Sequence, residues 1–175
     1  MSGEGSDLTL AQKWGRLGLR GLGYLSFLPP LLTRIVIGYA FYLTGSGKLS
    51  DLTKVTGFFT NLGIPFPELN AAFVSRLEYY GGILLILGLL TRPVAALLAA
   101  TMVVALATAD RADFISALHG LFGAESKKDL TDVTPVIYGI FLFWLIVQGP
   151  GIASLDAIIR KALGITAPPP NPPQA

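Results

Sequence analysis

The chain has 175 residues, 52% of them hydrophobic and only 14% charged, with no cysteine, one histidine and a formal net charge of +2. Soluble domains carry roughly 25% charged residues, so this composition, with a mean hydropathy of +0.61, points to a membrane protein. Within the chain, the lack of cysteine excludes disulfides, thiol redox catalysis and thiolate metal sites, lone His119 excludes a bis-histidine haem, and the scattered charges form no nucleic-acid-binding stripe.

Residues 1–28 read as a polar N-terminal segment followed by an interfacial stretch, with Trp14 and Tyr24 at headgroup level. No small-residue cleavage site closes it, so the following apolar stretch reads as a retained span rather than a signal. The first span follows Pro29-Pro30, which suit a first helical turn, and runs to about Gly47. At ~100° per residue, Arg34, Gly38, Phe41, Gly45 and Lys48 share one face, which is expected to turn toward protein.

Residues 50–67 suit a short amphipathic helix with Ser50 as N-cap and Gly63 as C-terminal stop. A second span is expected over 69–90 and a third over 94–109, joined by a tight turn at Thr91-Arg92-Pro93. The polar loop 110–132 holds a short helical pattern, FISALHGLF. The fourth span runs over about 133–147 with Pro135 in its first turn, and Gly149-Pro150-Gly151 ends it. A last amphipathic helix is expected from Ser154 to Leu163, with Asp156 and Arg160 spaced to pair. Residues 165–175 form a proline-rich, disordered tail. The fold class is therefore all-α: a membrane four-helix bundle over 29–164, with interfacial amphipathic helices.

Ionisable groups inside spans cost roughly 2.5–3.5 kcal/mol on insertion scales and usually face a partner. Two polar layers follow. One holds Lys48, Arg76 and Glu78 with Tyr42, Tyr79 and Tyr80; the other holds Arg34, Arg92 and Asp156. Glu78 lies at a depth that permits either Lys48 or Arg34 as its partner. These groups either fix helix register or line an interhelical pocket for a quinone, a lipid headgroup or a proton path. With Arg34 and Arg76 as substitutes for Lys48, Glu78→Ala is expected to destabilise more than Lys48→Ala. No metal site is expected at His119 or among the loop carboxylates, whose spacing differs from that of a calcium loop.

Arg34, Gly38, Phe41, Gly45, Gly47-Lys48-Leu49, then Gly63-Ile64-Pro65, then Glu78 with Gly81-Gly82 through Gly88-Leu89 and Thr91-Arg92, then Gly149-Pro150-Gly151 with Ser154-Leu155-Asp156, resemble in order and spacing the DoxX family of small integral membrane proteins. The resemblance covers roughly residues 30–160. It implies a four-helix membrane bundle. Members of the family resemble the membrane subunit of thiosulfate:quinone oxidoreductase, accompany superoxide-detoxifying or thiol-transferring partners, or act as cargo or assembly helpers. Arg34, Lys48, Glu78, Arg92 and Asp156 carry over as motif positions, without an assigned catalytic role.

The expected function is that of an anchor, accessory or assembly subunit of a larger membrane complex, docking through 1–28 and 110–132. The alternative is a quinone-interacting subunit of an oxidoreductase, similar to thiosulfate:quinone oxidoreductase; no cofactor is expected on the first reading, and quinone belongs to the alternative. A small transporter is a weaker reading, because one Glu and one Arg within four spans line little of a path. Lysine and arginine are equal in number on the two sides, but Arg92 sits in the tightest turn. That places both termini in the cytoplasm, across a prokaryotic inner membrane.

Overall fold

The computed structural model describes residues 25–122 and 128–165. The expected interfacial stretch around Trp14 and Tyr24 and most of the proline-rich tail lie outside them. The described residues are all-helical, with seven α-helices and no strand. They are α1 (Leu28–Ser50), α2 (Leu52–Asn61), α3 (Pro67–Leu87), α4 (Thr91–Ala107), α5 (Arg111–Leu121), α6 (Thr134–Gln148) and α7 (Leu155–Ala162), with a 3-10 turn at Leu130–Asp132 before α6.

Local chemistry explains the boundaries. Pro29-Pro30, Pro67 and Pro135 each open a helix, where a missing N–H costs nothing. Ser50 is the last residue of α1, its hydroxyl donating to Gly47 O, and Asp51 caps α2 by accepting from Lys54 N at 3.0 Å. The expected cap therefore moves by one residue, because the carboxylate is the stronger acceptor for an N-terminal amide. Gly63, at φ +70°, ends α2.

The expected turn at Thr91–Pro93 is instead the first turn of α4. The reversal lies at Gly88–Leu90, where Gly88 (φ +68°) and Leu90 (φ +51°) both take the left-handed conformation.

α1 packs mainly on α3 and α4 mainly on α6; contacts of α3 with α4 and of α1 with α6 join the two pairs, and α2 lies against α3. The core between them holds Ile37, Phe41, Leu85, Leu98, Leu142 and Leu145. The α1–α3 contact is made by backbone: a Cβ at Gly82 would lie 2.5 Å from Gly38 O, and one at Gly45 would lie 2.3 Å from Tyr79 N. The face expected from α1 is the one that is buried, apart from partly exposed Lys48.

No single helix among the described residues is long and apolar enough to cross a membrane; α4 and α5, bent by 84° at their junction, qualify only as a pair. The four expected spans thus correspond to α1, α3, α4 and α6, but α1 and α3 carry charges along their length. α6, with 15 residues, extends only ~23 Å at 1.5 Å per residue.

Candidate functional site

Two polar clusters occupy opposite ends of the α1–α3 pair. At the C-terminal end of α1, Lys48 Nζ lies 2.6 Å from Glu78 Oε1. The Glu78 side chain is 3% exposed and that of Lys48 34%. Glu78 Oε2 is buried without a hydrogen-bond partner. The rings of Tyr42 and Tyr79 stand 5.2 Å apart, and Tyr80 meets Tyr79 edge-on. Arg76 does not join: it is exposed, and its Nη1 donates to Ala72 O.

The partner of Glu78 is thus Lys48, while Arg34 lies at the far end of α1. This reverses the expected order of the two substitutions. Neither Arg34 nor Arg76 is placed to replace Lys48, whereas Lys48, on a flexible stem, reaches solvent if Glu78 is removed. Lys48→Ala leaves a buried carboxylate unpaired. It is expected to lower stability by about 1–3 kcal/mol, more than Glu78→Ala does, and thermal unfolding of both variants in detergent compares them. Lys48→Met with Glu78→Leu should recover most of the loss.

At the other end, Arg34 is fully buried. Its Nε donates to Pro30 O and its Nη2 to Ala153 O, while Nη1 is unpartnered. Gly88 is glycine for two reasons: its φ is positive, and a Cβ there would lie 1.6 Å from Arg34 Nη1. Asp156 Oδ1 accepts from Leu90 N at 2.9 Å and Oδ2 from Thr91 N at 3.0 Å, and Asp156 N donates to Gly88 O. The carboxylate from α7 is therefore the cap of α4, a position where Leu90 supplies none. It does not pair with Arg160, whose Nε donates to the Asp156 carbonyl. Arg92 Nη2 donates to Val147 O, with its guanidinium against Gly149.

Arg34, Arg92 and Asp156 thus gather where the loop after α6 passes beneath the α3–α4 turn. Thr91, expected in the turn and in the family pattern but not among the polar layers, is fully buried there with Oγ1 unpartnered. Its apolar neighbours give no signal of that burial.

His119 is exposed near the end of α5, and among the described residues no group of three or more His, Asp or Glu is placed to hold a metal ion. Lys128, just before the 3-10 turn, forms an ion pair with Asp113 of α5, and that hydrogen bond keeps the Lys128 ammonium above its ordinary pKa.

Four of the five motif residues of the two clusters fall within one stretch of chain. Residues 30–111 match the DoxX family model. The DoxX match takes in Arg34, Lys48, Glu78 and Arg92 and stops short of Asp156, so the resemblance noted over residues 30–160 is matched over its first part. Within it lie all of α2, α3 and α4 and nearly all of α1.

The chain is also 33% identical over 78 residues to a Bacillus subtilis (strain 168) protein named "Putative oxidoreductase CatD", covering 45% of this chain. The chain spans 57% of that curated relative's length. No solved structure matches.

Proposed function

We propose that the chain is a multi-pass membrane protein that serves as an accessory, anchoring subunit of a membrane oxidoreductase complex. The observation that carries this reading is the use to which the intrahelical charges are put. Arg34 ties α1 to the segment before α7, Lys48–Glu78 ties α1 to α3, Arg92 ties α4 to α6, and Asp156 ties α7 to α4. Each fastens one element of the fold to another, which suits a scaffold.

Burial of Arg34 and Glu78 also removes charge from what lipid would meet. The outward faces instead present Leu32, Val36 and Leu43 on α1, Val103 and Val104 on α4, and Ile140 and Phe143 on α6. α1 and α3, with 23 and 21 residues, reach ~32–35 Å, enough for a hydrocarbon core of about 30 Å. α4 and α6 complete a four-helix membrane bundle, with α2, α5 and α7 as its surface helices. The contact of Pro30 with Gly151 puts the start of α1 and the approach to α7 at one end, which supports placing both termini on one side, the cytoplasmic side of a prokaryotic inner membrane. The name of the Bacillus relative supports the oxidoreductase setting.

The test is purification from the native membrane. The chain is expected to resist an alkaline carbonate wash and to elute in mild detergent with other subunits at fixed stoichiometry. A lone chain that binds quinone, with binding lost in Glu78→Gln, would replace this reading by that of a quinone-binding redox protein. Release by carbonate would reject the membrane placement.

A further inference from the structure

An open groove of ≈ 460 Å³ lies between α3 and α4 and has almost no polar atom in its wall. Its lining comes from α3 between Leu69 and Leu84, and from Val94 and Leu97 at the start of α4. The α4 contribution stops after two turns.

Arg76 and Tyr80, four residues apart and so on one face of α3, are among its lining residues, and both are exposed. Two ion pairs occur among the described residues, Lys48–Glu78 and Lys128–Asp113, and Arg76 is in neither. Its one hydrogen bond among the described residues is from Nη1 to the carbonyl of Ala72 in its own helix, which leaves most of the guanidinium free.

The depth of this cation follows from the Lys48–Glu78 bond. Lys48 lies in the last turn of α1, so Glu78, and Arg76 two residues before it, stand at the level where α1 ends. α3 continues past that level toward Pro67 alongside α2. In the proposed membrane bundle this is headgroup depth, where Tyr and Arg serve as interfacial anchors.

We infer that the groove holds an acyl chain of an anionic phospholipid whose phosphodiester is bound by Arg76. A guanidinium presents a planar fork to two phosphate oxygens. Tyr80, one turn along the same face of α3, lends its exposed ring to the same chain. Each buried methylene of the chain adds about 0.8 kcal/mol, so the groove supplies affinity and Arg76 supplies preference for charge.

This inference rests on the membrane placement proposed above, and the experiment separates the two. The full chain in detergent is incubated with equimolar phosphatidylglycerol and phosphatidylcholine of matched chains, and retained lipid is counted by native mass spectrometry. One phosphatidylglycerol per chain is expected, preferred over phosphatidylcholine by about tenfold. Arg76→Gln should abolish the preference while leaving melting unchanged. Leu97→Trp, which fills the groove on the membrane side of Arg76 from a half-exposed position, should reduce retention of both lipids.

Equal retention of the two lipids by the wild type, an unchanged preference in Arg76→Gln, or a doubled mass without lipid each overturns the site. Failure of the chain to float with vesicles of either lipid overturns the membrane placement itself, and the site with it.

Discussion

Alanine in place of Gly45 is expected to destabilise the fold by about 3 kcal/mol or more. A Cβ at that position would stand 2.3 Å from Tyr79 N, 2.6 Å from Tyr79 Cα and 2.8 Å from the carbonyl carbon of Glu78. All three are backbone atoms of α3, so no rotamer change relieves the contact and the helices must part. Parting them also pulls Lys48 from Glu78, leaving a buried carboxylate whose other oxygen already lacks a partner. The control is Gly47→Ala, two residues on, where a Cβ meets nothing within 4 Å. That substitution should stabilise by up to about 1 kcal/mol, through helix propensity alone. Thermal unfolding of both variants in one detergent gives the comparison; equal effects would mean that α1 and α3 do not meet backbone to backbone.

Asp156→Ala should cost about 3 kcal/mol, from two hydrogen bonds of a charged acceptor at roughly 1.5 kcal/mol each. The loss is not confined to α7. Leu90 and Thr91 amides lose their acceptor at the start of α4, and Leu90 keeps its left-handed φ of +51° without that compensation. The buried Arg34 guanidinium, close to the same turn, loses the nearby negative charge. Asp156→Asn, which keeps one carbonyl acceptor, should lose about half as much. Amide exchange at Leu90 and Thr91 offers a local reading: protected in the wild type, fast in Asp156→Ala. Continued protection in the alanine variant would place the cap elsewhere.

Both predictions turn on positions whose spacing is visible in the sequence while their partners are not. The α1 face is legible because helical periodicity fixes which residues lie together, and Arg34, Gly38, Phe41 and Gly45 are indeed buried. The stop of α2 and the start of α7 are legible for the same local reason, since Gly63 and Ser154 act within a turn of themselves. The cap of α4 is not legible: Asp156 lies 65 residues from Thr91, and its near neighbour Arg160 offers a more obvious partner. The α3–α4 reversal lies three residues before the expected turn for a related reason. Two consecutive leucines at 89 and 90 resemble a continuing span, and only the fold puts Leu90 in a left-handed turn.

What the sequence determined by itself is the helical character of the chain, the approximate location of each helix and the set of charges that an apolar chain must satisfy internally. Periodicity, proline placement and composition act over one or two turns, so they survive without knowledge of the rest. The tertiary structure decided which charge meets which. Lys48 rather than Arg34 meets Glu78 because the glycine contacts at 38, 45 and 82 fix the register of α1 on α3. Asp156 serves α4 rather than its own helix because the segment after Gly149 folds back beneath the Gly88 turn. Those choices depend on how closely two backbones approach, a quantity that no local pattern of side chains specifies.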